Sequence, residues 1–171
     1  QGFSLASPAV DVKMTTESVE RDTRLQDAEL AIRQNTLRKM ELFSTLSEDE
    51  HAHLAKTLTY TPFVKGDIIT RQGAVAHWLY VLISGEVDIW YEVSKNERKF
   101  LTTLPAGRVF GEMGLMTGEP RRATVIAKTD VECYCIDKDS FEQIIHSRPE
   151  LAVEFAHILS ERNMQLVAVQ Q

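Results

Sequence analysis

The sequence predicts an α+β domain, an antiparallel β-roll or jelly roll flanked by N-terminal helices and by two C-terminal helices. Three observations carry that prediction. The middle of the chain reads in period two: LTYTPF, DIITR, HWLYVLIS, EVDIWYEV, RKFLTTL, ATVIA and VECYCID are short β-branched or aromatic runs. Gly66, Gly73, Gly85, Asn96, Gly107 and Gly118 punctuate them at intervals that suit a roll of short strands. Both ends read in helical period instead, and no internal repeat is present, so the order is helices, roll, helices. A chain of 171 residues with 43% hydrophobic content is long enough to bury such a core.

Each element follows from its residues. Residues 1–16 are expected as a flexible lead-in: QGFS reads as an expression remnant, and Leu5 to Thr16 is small, polar and Pro-containing without a period. Residues 17–41 form a helical linker whose thin apolar stripe, Val19, Leu25, Ile32, Leu37 and Met40, predicts a narrow buried face. The domain proper is expected over 42–171. Leu42, Phe43 and Leu46 cluster just before Ser47 and Glu50, whose spacing is that of a capping box, so a helix starts at Ser47 and runs to about Thr57. In VECYCID, Cys133 and Cys135 fall on one face of a strand and read as buried free thiols of a reducing cytoplasm. Past Asp137 the helical period returns in SFEQIIH. Pro149 sits where a first helical turn accepts proline, and ELAVEFAHILSERNMQLVAV forms the long last helix. Its stripe Leu151, Phe155, Ile158, Leu159 and Leu166 suits core packing.

Charge and missing motifs exclude several function classes. A net charge of -6 argues against a general nucleic-acid or membrane-surface binder. A DNA-binding regulator would need a helix-turn-helix after the long helix, and the sequence ends at Gln171 without one, so no nucleic-acid partner is expected of this chain. No apolar run approaches the roughly 18 residues of a membrane span. His51 and His53 lie two apart in a helical segment, where they face different directions, and no third ligand follows, so no metal site is expected. Neither a Gly-x-Ser-x-Gly elbow nor a Walker loop is present, and the reading is not an enzyme.

The chemistry concentrates in FGEMGLMTGEPRRATVIA, from Phe110 to Ala127. Gly111-Glu112-Met113-Gly114-Leu115 can make a short helical turn whose first amides have no partners inside the helix and attract an anion. Gly118 and Pro120 turn the chain back, so that Arg121 can aim a planar fork of donors at two oxygens of a phosphate. Glu112 can accept hydrogen bonds from hydroxyls. A random Glu and Arg would default to a surface ion pair, but here both stand among glycines. A ligand with a hydroxyl and one phosphate a few ångströms apart, such as a cyclic nucleotide, would meet both.

This stretch resembles the phosphate-binding cassette of the cyclic-nucleotide-binding domain family, which includes the catabolite activator protein, the regulatory subunit of cAMP-dependent protein kinase and cyclic-nucleotide-gated channels. FVKGDIITRQGAVAHWLYVLISGEVDIW is similar to the family's early strands, and the resemblance runs from about Leu42 to the end. It implies that Glu112 bonds the ribose 2′-hydroxyl and that Arg121 pairs with the cyclic phosphate. It further implies that the amides of Gly111 and Ala123, with the Thr124 hydroxyl, complete the phosphate cradle, Met113 and Arg122 lying in the same site. Arg122 stands where relatives often carry Ala, Ser or Thr. A Thr there is associated with guanine contact, so cAMP is expected to be favoured over cGMP; whether Arg122 points outward or reaches over the base edge stays open.

In the family the last helix also lids the base, which makes Phe155, Ile158, Leu159 and Arg162 the expected lid, on an equal footing with plain core packing. The resemblance implies a ligand-sensing domain with cAMP or cGMP as ligand and no other cofactor. Binding is passed by helix rearrangement to an attached effector, such as a membrane ion channel, with oligomerisation through the full-length protein. That places the domain in the cytoplasm, alone or as part of a bacterial membrane protein. The rival from another class is a β-roll that docks a protein partner and ignores nucleotides.

Overall fold

The computed structural model describes the backbone of residues 3–170, and the side chains of these except 3–15, 41, 112, 113, 116, 158, 159, 162, 163, 165–167, 169 and 170. Its elements are α1 (Phe3–Lys39), a 3-10 turn (Glu41–Phe43), α2 (Glu48–Thr57), β1 (Thr59–Phe63), β2 (Ile68–Thr70), β3 (Trp78–Ser84), β4 (Val87–Ser94), β5 (Glu97–Leu104), β6 (Val109–Phe110), α3 (Glu112–Thr117), β7 (Thr124–Ala127), β8 (Val131–Asp137), α4 (Lys138–Ser147) and α5 (Pro149–Gln170). The strands form two four-stranded antiparallel sheets, ordered β1-β8-β3-β6 and β2-β7-β4-β5.

Two cores follow from strand alternation. Tyr80 and Leu82 of β3, with Val131, Cys133 and Cys135 of β8, face the other sheet and pack on Val87, Ile89, Phe110 and Val125 inside the roll. The intervening Leu79, Val81, Tyr134 and Ile136 face the helices, meeting Leu37, Phe43, Leu54, Phe141, Leu151 and Phe155. A strand buried on both faces must be apolar throughout, which is why YVLI and CYCI show little alternation. Cys133 and Cys135 do share the roll-facing side as free thiols, and burial pushes the Cys133 thiol up to about 12. The capping box forms as expected: Ser47 Oγ accepts from the Glu50 amide at 3.2 Å, and Glu50 accepts from the Ser47 amide at 3.1 Å.

Residues 3–16, expected as a flexible lead-in, have helical backbone continuous with the linker helix in α1. Helix formers such as Ala6, Ala9, Lys13 and Met14 extend an established helix without needing an apolar period. Of the expected stripe Leu37 and Met40 are buried, at 0% and 5% exposed, whereas Val19, Leu25 and Ile32, at 58%, 62% and 61%, are not part of the buried face. Leu30 joins Leu37 on the inward face, and Ile32 lies about 200° round the helix from Leu30 at 3.6 residues per turn. Arg33, on the inward face, donates to the Leu58 carbonyl at 2.6 Å and stacks over the Tyr134 ring at 5.4 Å, anchoring the last turns of α1 to α2 and the roll.

Candidate functional site

The cassette is positioned by backbone geometry before any side chain acts. Gly111, the N-cap of α3, has φ +87°, and a Cβ there would overlap the Arg121 guanidinium and lie 3.2 Å from the Trp78 carbonyl oxygen. Among the described residues no side chain makes a cap hydrogen bond at this end of α3. Gly118 closes the helix in the left-handed conformation at φ +73°, its N–H donating to the Gly114 carbonyl at 2.9 Å. Gly114 has no room for a side chain, because a Cβ would run into Ala76 of the β2–β3 loop. The cassette helix is therefore seated on that loop.

Arg121 is buried, 8% exposed, and its fork is held by main-chain oxygens. Nη1 donates to the Gly111 carbonyl at 2.6 Å and Nη2 to the Trp78 carbonyl at 2.7 Å. Its own backbone is fixed on the β2–β3 loop: the Arg121 amide donates to Ala74 O at 2.8 Å, and the Gly73 amide donates to Arg121 O at 2.7 Å. Beneath it, Tyr80 and Phe110 stack with centroids 4.9 Å apart and planes 4° apart, and the guanidinium carbon lies 5.8 Å from the Tyr80 centroid. Burial raises the Tyr80 phenol above its ordinary value, so it stays neutral beside the cation. A planar cation rests on an aromatic floor with its orientation set by two carbonyls.

Thr124 is buried, and its Oγ accepts from the Gln72 amide at 3.0 Å. A hydroxyl that accepts one bond retains its own O–H for donation, so this contact is compatible with a role toward an anion. Gln72 in turn bonds both backbone groups of Glu92 in β4, donating at 3.0 Å and accepting at 2.7 Å. Ala123 is half-buried against the roll interior. Arg122 turns to Glu119, with Nε 3.2 Å from Oε2 and Nη2 donating to the same oxygen, an exposed pair at the rim of the cassette loop. The side chains of Glu112 and Met113 lie outside the described residues, although their backbone opens α3. Gln72, Ala74, Trp78 and Tyr80 were not singled out from sequence. Three of the four act here through main-chain groups, and only the turn at Gly73 hinted that this loop folds back.

On the other side, α3 packs against α5. Leu115 of α3 shares a core with Leu151 and Phe155 of α5, and Phe155 meets Phe141 edge to face at 4.9 Å and 86°. Phe155, for which core packing and a lid stood on an equal footing, is a fully buried core residue in this arrangement, with Phe141 of α4 and Leu115 of α3 in the same cluster. The side chains of Ile158, Leu159 and Arg162 lie outside the described residues. His51, weighed above as a metal ligand, is buried with Nε2 2.7 Å from the Phe43 carbonyl, a tie between α2 and the 3-10 turn. No helix among the described residues is long and apolar enough to cross a membrane.

A family model described as the cyclic nucleotide-binding domain matches residues 60–148. The chain is 29% identical over 142 residues to a cAMP-dependent protein kinase regulatory subunit of Blastocladiella emersonii, covering 83% of this chain and 34% of that one. It thus spans about a third of that relative's length. Among solved structures it is similar to the Thermus thermophilus catabolite activator protein, at 25% identity and TM-score 0.65, covering 75% of this chain and 61% of that one. It also shares the fold of the regulatory subunit of a cAMP-independent protein kinase A from Trypanosoma brucei, at 24% identity and TM-score 0.67, covering 75% of this chain and 48% of that one.

Proposed function

This chain belongs to the cyclic nucleotide-binding domain family, and on that premise we propose that it senses cAMP in preference to cGMP and passes binding on by moving its helices. The observation that carries the reading is the buried Arg121 fork, oriented by the Gly111 and Trp78 carbonyls at the N-terminal end of α3. A cation held beside the first turn of α3 supports a phosphate site at that place, a bound phosphate competing with the two carbonyls for its donors. Thr124 and the amides of Gly111 and Ala123 complete the cradle, and Glu112 takes the ribose hydroxyl. Arg122 is engaged by Glu119 at the loop rim, which supports reading it as a clasp of the loop rather than a reader of the base. No guanine contact is then assigned, and cAMP should bind at least as well as cGMP.

Transmission follows from Leu115. An anion drawn onto the α3 amides shifts α3, and Leu115 carries the shift into the core it shares with Leu151 and Phe155. The joint at Ser147-Arg148-Pro149 lets α5 swing, with Ile158, Leu159 and Arg162 closing over the base. The output goes to an effector joined to or bound against the outer helices. A membrane channel is the class the sequence reading favours, and the kinase of the regulatory-subunit relatives is the class their names suggest.

Calorimetric titration with cAMP and with cGMP, on the wild type and on Arg121→Ala, tests the reading. Losing one partner of a desolvated charge pair costs about 2 to 5 kcal/mol, or roughly thirtyfold to several-thousandfold in affinity. An unchanged dissociation constant in Arg121→Ala would overturn the site. A preference for cGMP above about tenfold, 1.4 kcal/mol, would overturn the assignment of Arg122. A wild type that binds neither nucleotide would leave the protein-docking roll as the reading.

A further inference from the structure

We propose that the ion pair between Glu50 and Arg148 is a latch that makes the α4–α5 joint and the first turn of α2 move as one unit, handing the motion of α5 to the N-terminal helices. The sensing reading enters only as the trigger of that motion. The two residues are 98 positions apart, yet Arg148 Nε lies 2.9 Å from both carboxylate oxygens of Glu50 and Nη2 lies 2.6 Å from Oε1. Arg148 is itself the joint. Its amide donates to Ile144 O at 2.9 Å, ending α4, and its carbonyl accepts from the Leu151 amide at 3.0 Å, starting α5, with φ −132° and ψ 81° between them. A change of angle between α4 and α5 must change those dihedrals and swing the side chain.

The same carboxylate serves α2. Glu50 Oε1 accepts from the Ser47 amide in the capping box, so one group holds both the start of α2 and the joint. The shared carboxyl is held down at about 2, chiefly by the Arg148 hydrogen bonds, as a strong charge-assisted contact requires. The tie stands beside packing: Leu46, Leu54 and Phe141 share one core against which Ile144 packs, and a cavity of about 230 Å³ lined by Leu46, Asp49, Glu50, His53, Gln143, Ile144 and Ser147 opens between α2 and α4 next to the pair. Onward from Glu50 the path is bonded: α2 carries His51, whose Nε2 meets the Phe43 carbonyl in the 3-10 turn. Phe43 and Leu37 at the end of α1 share one core with Leu54 of α2.

Amide hydrogen exchange on the whole chain decides this, first without nucleotide. Arg148→Gln should speed exchange at the Glu50 and His51 amides about fivefold, the effect of a partly exposed pair on local opening. The Glu50→Gln/Arg148→Gln double variant should add nothing to the larger single effect, and Ser47→Ala controls for loss of the cap alone. Arg148→Lys, which keeps the charge but not the fork, guards against a misfolded Gln variant and should give an intermediate rise. Unchanged exchange at Glu50 and His51 in both Arg148 variants, or additive effects in the double variant, overturns the latch. With saturating cAMP, Arg148→Gln should bind within a few-fold of wild type while the cAMP-induced change in α2 shrinks. A change of full wild-type size overturns the transmitting role. A wild type that fails to bind cAMP overturns the sensing reading instead, and the nucleotide-free arm still judges the latch.

Discussion

Replacing Gly111 and Gly118 by alanine separates two meanings of a glycine in the cassette. Both have left-handed backbones, at φ +87° and +73°, and an L-residue there costs roughly 1–2 kcal/mol. Only one is also crowded. At Gly118 no atom stands within 4 Å of an added Cβ, so the conformational cost is the whole effect. At Gly111 the methyl must displace the Arg121 Nη1 that bonds the Gly111 carbonyl. Losing a hydrogen bond from a charged group costs about 1.5–3 kcal/mol more, and the sum is about 2.5–5 kcal/mol. Urea unfolding should therefore show Gly111→Ala as the more destabilised variant. Calorimetry should show a loss of cAMP affinity of about tenfold to a hundredfold for Gly111→Ala, corresponding to 1.4–2.8 kcal/mol, and almost none for Gly118→Ala. Equal effects of the two substitutions on binding, or wild-type affinity in Gly111→Ala, would refute the argument that Gly111 sets the Arg121 fork by contact.

Two further outcomes follow from buried or charge-assisted bonds. Thr124→Val leaves the Gln72 amide without its acceptor in a buried place and should lower stability by about 1–3 kcal/mol in denaturant titration, while Thr124→Ser restores most of it. The Glu50 carboxyl is lowered from 4.5 to about 2 in the folded chain, so its contribution is complete above about 4.5 and is lost as pH falls toward about 2. Acid unfolding followed by circular dichroism should show Glu50→Gln losing less stability than wild type across that window, even with Asp49 and His53 lining the same cavity. Parallel curves would remove Glu50 from the acid response.

Where the chain's own order carries the information, the residues foretold the structure. The Ser47–Glu50 box is a four-residue device, and the run VECYCID marked β8 with Cys133 and Cys135 on one buried face. For α1 the expected stripe holds at Leu37 and Met40 and fails at Val19, Leu25 and Ile32 for a physical reason. Helicity propagates along a chain without an apolar period, and which stripe is buried depends on where the helix meets the roll.

The sequence by itself determined the helix–roll–helix order, the strand alternation and the cassette, with Gly111, Arg121 and Thr124 within one short segment. Those properties are local, set by propensity, period and turn chemistry among near neighbours. Only the tertiary structure decided that Arg121 is held by the carbonyls of residues 10 and 43 positions away, that Phe155 lies in the core, and that Arg148 reaches Glu50 across 98 positions. A carbonyl is the same at every residue, and an arginine does not name its carboxylate. Their partners exist only once the two sheets and five helices have fixed which distant main-chain and side-chain groups share a few ångströms of space.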